Sequence, residues 1–212
     1  LLRELSDKIE VITYPREMGE DETRTSGLKP TVIGSIISGN TTSEDTYRAA
    51  VEMEKLGVDL ILFAGGDGTA RDIFSAIERR VAVLGIPAGV KIHSAVYAVT
   101  PRTAATVARM FLEGQLLNLC DGEVMDIDEH AFRQGVVTTK LYGYLRVPKE
   151  RRYVQSAKSR GGQSEKESLQ GISATISEEM DKDTIYIMGP GTTVGAIMEY
   201  LGLKNTLLGV DV

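Results

Sequence analysis

The apolar run Leu60-Ile61-Leu62-Phe63-Ala64 stops abruptly at Gly65-Gly66-Asp67-Gly68-Thr69, and a helix-forming stretch from Ala70 to Arg80 follows. An apolar segment of this length reads as a buried strand. The glycines after it let the chain turn sharply into a helix. Such a turn presents bare backbone N–H groups and a helix N-terminus to whatever lies outside the sheet, which suits a phosphate. Three glycines around one acid, with a threonine at the helix entrance, are more than a tight turn requires. A cradle made only for phosphate would avoid a carboxylate, so Asp67 is expected to have a role of its own.

The rest of the chain is arranged around that turn. Alternating, β-branched residues predict a strand over 8–14 and a second over 31–37, with a short helix or loop over 18–27 between them. Ser38-Gly39-Asn40-Thr41 marks a turn, and either Thr41 with Glu44 or Thr42 with Asp45 is placed to cap the helix that carries Ala50, Met53 and Leu56. The strand 58–64 leads into the glycine turn, a helix runs to about Arg80, and the strand 81–86 closes at Pro87-Ala88-Gly89. A helix is expected over 91–99. Thr100-Pro101 then restarts a helix to Glu113, with Thr at the cap and Pro at the first helical position. Strands alternating with helices at this spacing predict a parallel sheet with helices packed on it.

After residue 114 the pattern changes. Short alternating runs over 116–144 predict antiparallel β structure. The basic, glycine- and serine-rich stretch 149–166 reads as an exposed loop or hairpin, and its cations are placed to cover donor phosphates if they are more than a solvated surface. Residues 168–179 lean to helix. Thr184 to Met188 is expected as a strand, 189–193 as a second glycine turn, and 194–201 as a helix. The expected fold class is α/β: a parallel-sheet, Rossmann-like domain over 1–114, then a β-rich domain over 115–212 with an α/β tail.

Composition narrows the function classes. The chain has 212 residues and a formal net charge of -6, which argues against nucleic acid or an anionic membrane as the main partner. One cysteine, Cys120, cannot form an internal disulfide, so a cytoplasmic location is expected. No apolar run reaches the length of a membrane span. The chain starts without Met and stops at Gly209-Val210-Asp211-Val212, which reads like a strand just beginning, so pieces are expected to be missing at both ends.

Gly65-Gly66-Asp67-Gly68-Thr69 resembles the signature of the NAD kinase family, which is grouped with diacylglycerol and sphingosine kinases and, more distantly, 6-phosphofructokinases. Gly85-Ile86-Pro87-Ala88-Gly89-Val90-Lys91 falls where these proteins have a second glycine-containing loop. With Gly189-Pro190-Gly191-Thr192-Thr193, the chain is most similar to the ATP- or polyphosphate-dependent NAD kinases related to an acetoin-catabolism protein. The resemblance implies transfer of a phosphoryl group from ATP or polyphosphate, with Mg²⁺, to the 2′-hydroxyl of NAD. It assigns Asp67 to the accepting hydroxyl. Phosphate or nucleotide contacts fall to Gly65, Gly66, Gly68, Thr69, Gly89, Lys91, Gly189, Gly191, Thr192 and Thr193.

Beside that implication stands the chemistry of the residues. At a helix N-terminus the dipole favours an ionised Asp67. A loose phosphoryl-transfer transition state asks little proton removal of a base until late, so orienting the hydroxyl is the larger task. Asp67 either does that or holds Mg²⁺ through water. Arg71 and Asp72 are placed to meet a phosphate and a metal, or are simply first-turn helix residues. His93, His130 and Cys120 are too scattered for a metal site. Asp126, Asp128 and Glu129 are close enough to bind Mg²⁺ in principle, but alternating acids on one strand face read rather as solvent-facing.

One departure matters. NAD kinases generally carry an Asn-Glu pair that holds the dinucleotide, and this chain has none. Either NAD is bound differently, the pair lies outside these residues, or the acceptor is another hydroxyl. The rivals are therefore a lipid or sugar kinase and a catalytically silent nucleotide-binding regulator. The partners expected are small-molecule nucleotides, and edges of the β unit offer surfaces for a homo-oligomer.

Overall fold

The computed structural model describes residues 9–89, 92–127, 138–148, 150, 154, 162–181, 183–206 and 209–212. The chain forms two compact units, one of residues 1–128 with 139–157 and one of 129–138 with 158–212.

In the first unit, β1 (Ile12–Thr13) and β2 (Thr31–Val32) form a small parallel pair. Both are shorter than the alternating runs that predict them. Between them lie a 3-10 turn (Arg16–Met18) and the short helix α1 (Glu20–Thr25). Helix α2 (Ser43–Lys55) is capped by the second of the two candidate boxes. Asp45 Oδ2 accepts from the Thr42 N–H at 2.8 Å and from its hydroxyl at 3.0 Å. That N–H bond is the main reason the Asp45 carboxyl is held below its ordinary range.

The main sheet has four strands in the order β3 (Leu60–Gly65), β4 (Ala82–Pro87), β6 (Thr139–Pro148), β5 (Leu119–Ile127). The first three are parallel, and β5 runs antiparallel to β6 as the alternation after residue 114 predicts. The strands expected to lie in a separate domain thus pair directly with the parallel ones, and the sheet runs across residue 114. Helix α3 (Asp67–Ile77) buries Ala70, Ile73, Ala76 and Ile77, and α4 (Pro101–Leu112) buries Ala104, Ala105, Val107 and Ala108. Alanines on the inner face let α4 lie close to the sheet. The core they cover is made of Ile61, Phe63, Val83, Leu84, Val124, Leu145 and Val147.

The helix expected over 91–99 is absent from the described residues. Val96, Tyr97 and Ala98 are fully buried; Ala95 and Val96 form a turn, and Tyr97 and Ala98 pair only through isolated bridges. Gly85 N–H donates to Val96 O at 2.8 Å and Ala98 N–H to Gly85 O at 2.9 Å, while Ala95 N–H donates to Glu123 O at 2.8 Å. Strand partners on two sides outcompete a local helix here.

In the second unit, α5 (Gly162–Glu179) begins before the stretch that leans to helix, and α6 (Thr192–Tyr200) packs against it. The strand expected over Thr184 to Met188 does not form. Among the described residues only Met188 pairs, through an isolated antiparallel bridge to Asp211, and Ile185 and Ile187 stay 81% and 74% exposed. An extended segment without a neighbouring strand has nowhere to place its backbone hydrogen bonds except water.

Candidate active site

The β3–α3 turn is built from contacts that explain some glycines and not others. A Cβ on Gly65 would fall 2.3 Å from Thr69 Oγ1 and 2.7 Å from Thr69 Cβ, so Gly65 must be bare for Thr69 to sit at the helix entrance. The Gly66 carbonyl accepts from Thr69 N–H at 3.0 Å, Ala70 N–H at 3.2 Å and the Tyr97 hydroxyl at 2.5 Å. Tyr97 is fully buried, and burial, then the charge of Asp67, pushes its phenol well above the ordinary value, so it remains a neutral donor. A Cβ on Gly89 would come 3.3 Å from Gly66 Cα, which places the two glycine loops almost in backbone contact. Ala88 N–H donates to Gly65 O at 3.1 Å and ties them together.

Gly68 is different. Nothing lies within 4 Å of a Cβ built there, and it occupies a helical position. The fold gives no reason for glycine at this place, whereas close approach of a phosphate to a helix N-terminus would. Gly68→Ala should therefore leave the melting temperature unchanged or raise it, since Ala is favoured over Gly in a helix by about 0.5–1 kcal/mol. The same variant should weaken donor binding, seen as a raised KM for ATP or polyphosphate.

Asp67 is the first residue of α3 and only 7% exposed. It stands on the same helix face as Ala70, Ile73 and Ile77, so its carboxylate is turned toward the sheet rather than away from it. There it meets the segment after β4. Oδ1 accepts from Ser94 N–H at 3.0 Å, and Oδ2 accepts from His93 N–H at 2.8 Å with His93 Nδ1 at 3.1 Å. The segment is anchored on its other side, where Ser94 Oγ bonds Met125 O at 2.8 Å and accepts from Met125 N–H at 2.9 Å. Asp67 is thus the knot that ties the second glycine loop to the first.

Asp67 and His93 follow the carboxyl ends of adjacent parallel strands, where Gly65 and Pro87 are in register. That is where open α/β sheets place ligands. One turn further along α3, Arg71 reaches Asp126 of β5 at 3.1 Å and lies over the Tyr142 ring at 5.4 Å. Tyr142, then the charge of Asp126, holds the guanidinium firmly protonated. Asp126 is therefore an ion-pair partner, not the solvent-facing acid its alternation suggests. Burial raises the Asp72 carboxyl above its ordinary range, with Arg71 opposing and Asp126 adding to the shift.

The site residues named from sequence divide accordingly. Gly65, Gly66, Asp67, Gly68, Thr69 and Gly89 come together, with Arg71 and Asp72 next along the helix. Lys91 lies outside the described residues, as do Asp128 and Glu129. Gly189, Gly191, Thr192 and Thr193 belong to the second unit, where Gly191 caps α6 with φ 137°, a backbone state that favours glycine. Among the described residues no three His, Cys, Asp or Glu side chains converge as a metal site, so these residues do not form a cage for Mg²⁺. Sequence spacing does not single out Ser94, Tyr97 or Tyr142, and it reads His93 only as an isolated histidine and Asp126 only as a surface acid.

Residues 1–116 match the family model described as the ATP-NAD kinase N-terminal domain. The chain belongs to the NAD kinase family. No curated protein and no solved structure matches it. The signature turn of this NAD kinase family member is held by a buried carboxylate at a helix N-terminus, and no helix among the described residues is long and apolar enough to cross a membrane.

Proposed function

We propose that the protein transfers a phosphoryl group from ATP or polyphosphate to the 2′-hydroxyl of NAD, giving NADP. One observation carries this reading. The Asp67 carboxylate is held by backbone N–H groups of the segment after β4, beside the strand ends and one residue before the open backbone of Gly68. A charged group fixed in this way needs no rearrangement when an accepting hydroxyl arrives, and positioning of that kind supplies most of the catalysis in phosphoryl transfer.

In this reading Gly66, Gly68 and Thr69 face the donor phosphates, with Gly89 and Lys91 in the second loop. Mg²⁺ is assigned to the donor phosphates and not to a cage of protein side chains. This matches its usual reliance on phosphate and water ligands. The partners are small nucleotides, and a single cysteine suits a reducing cytoplasm.

The test is direct. Purified protein is incubated with NAD, Mg²⁺ and either ATP or polyphosphate, and NADP is measured with an NADP-specific dehydrogenase. NADP formation with at least one donor is the expected result. Phosphorylation of a lipid or sugar hydroxyl with no NADP from either donor would overturn the acceptor assignment.

A further inference from the structure

His93 completes the site in a way that neither the signature turn nor the family match assigns. Its Nδ1 lies 3.1 Å from Asp67 Oδ2, and its own backbone N–H donates to the same oxygen at 2.8 Å. An ionised carboxylate can only accept, so the proton of that contact sits on Nδ1. The tautomer of the neutral ring is then fixed: Nδ1 carries the hydrogen, and Nε2, across the ring from Asp67, holds the lone pair. Nε2 has no hydrogen-bond partner among the described residues. It is also open, because the imidazole is 18% exposed and the one sealed, unpaired side-chain polar atom among the described residues is Thr13 Oγ1.

The geometry points to His93 as the group that takes the proton of the accepting hydroxyl, with Asp67 as its positioning residue. This rests on the phosphotransfer reading above. Asp67 is the weaker candidate for direct proton removal, since three donors already occupy its oxygens. An orienting carboxylate, an imidazole and a hydroxyl in line form an arrangement that activates hydroxyls on many unrelated folds.

The step balances without further reagents. The hydroxyl oxygen forms a bond to the terminal phosphorus of ATP or polyphosphate, and the bond from that phosphorus to the bridging oxygen breaks. The electron pair stays on the departing phosphate. The hydroxyl proton moves to Nε2, Asp67 stabilises the imidazolium without taking the proton, and the ring then releases it to solvent.

Two measurements test this. Asn at position 93 can place an amide N–H where Nδ1–H stands, but has nothing at the position of Nε2. His93→Asn should keep the wild-type melting temperature and the KM for NAD, while kcat falls about 10²-fold. The low end of the general-base range applies because a loose transition state leaves proton transfer late. His93→Ala should recover activity when imidazole is added. A long-range proton–nitrogen NMR spectrum of the wild-type protein should show the Nδ1–H tautomer, and the chain's two histidines make its assignment simple.

Wild-type NADP formation together with full activity of His93→Asn would overturn the base role and leave the phosphotransfer reading standing. Absence of NADP from the wild type would fail that reading instead, and the base role with it. An Nε2–H or doubly protonated ring at the assay pH overturns the proposal even if every substitution at residue 93 unfolds the protein.

Discussion

Asp67→Asn should lower kcat by at least about 10²-fold while changing the KM for NAD little, because it removes the charge that orients His93 and the accepting hydroxyl. The reason lies in three donors on one carboxylate. Ser94 N–H points at Oδ1, and His93 N–H with Nδ1 points at Oδ2. An amide has one oxygen and one NH₂ group, so in either orientation it sets a donor against a donor. Leaving one buried N–H unpaired costs about 1–3 kcal/mol. For a chain of this size each kcal/mol corresponds to about 2–4 °C, so the melting temperature should also fall measurably. The variant's NMR spectrum should lose the single Nδ1–H tautomer. An Asp67→Asn enzyme with wild-type kcat would show that the carboxylate has no part in the chemistry.

The largest effect on stability is expected from Gly85→Ala in β4. A Cβ at this position would fall 2.3 Å from Tyr97 Cδ1 and 2.6 Å from Cε1, far inside van der Waals contact. The ring cannot yield easily. It is fully buried, packs edge-on against Phe63 at 5.3 Å, and its flanking residues bond the backbone of Gly85 from both sides. Overpacking of this kind costs about 1–3 kcal/mol. Displacing Tyr97 also removes its hydrogen bond to the Gly66 carbonyl, which shapes the turn before Asp67. Gly85→Ala should therefore lower both the melting temperature and kcat, although Gly85 is expected to touch no substrate. Thermal melts and steady-state rates on the same preparation check both. An unchanged melting temperature would show that the ring has room to move.

Gly85 and Gly68 show why glycines in one sequence need separate arguments. Each belongs to a glycine-containing loop of the family resemblance or lies beside one. Gly85 is required by an aromatic ring that reaches it from twelve residues further along, and Gly68 by nothing in the fold. The family resemblance treats both simply as glycines of its loops. Only the side chains that pack on them separate a fold requirement from a ligand requirement.

Much of the architecture was legible from local pattern. The strand into Gly65, the helix out of Asp67, the strand before Pro87 and the Thr100-Pro101 helix start all follow from apolar runs, caps and turn residues that act within a few positions. Local pattern failed where pairing decided the outcome. Residues 92–98 are not a helix because their backbone bonds go to β4 and β5, and Thr184 to Met188 is not a strand because little lies alongside to pair with it.

The sequence by itself determined the reaction class, through five residues whose glycines, acid and threonine are contiguous and whose strand–turn–helix context is local. The structure puts Asp67 on the inner face of α3, with Ala70, Ile73 and Ile77. What Asp67 meets on that face was decided by tertiary structure alone. The register that sets Gly65 of β3 beside Pro87 of β4 carries a histidine 26 positions away onto its carboxylate. Such a meeting depends on which strands pair and in what alignment, a property of the whole sheet that no short stretch of chain encodes.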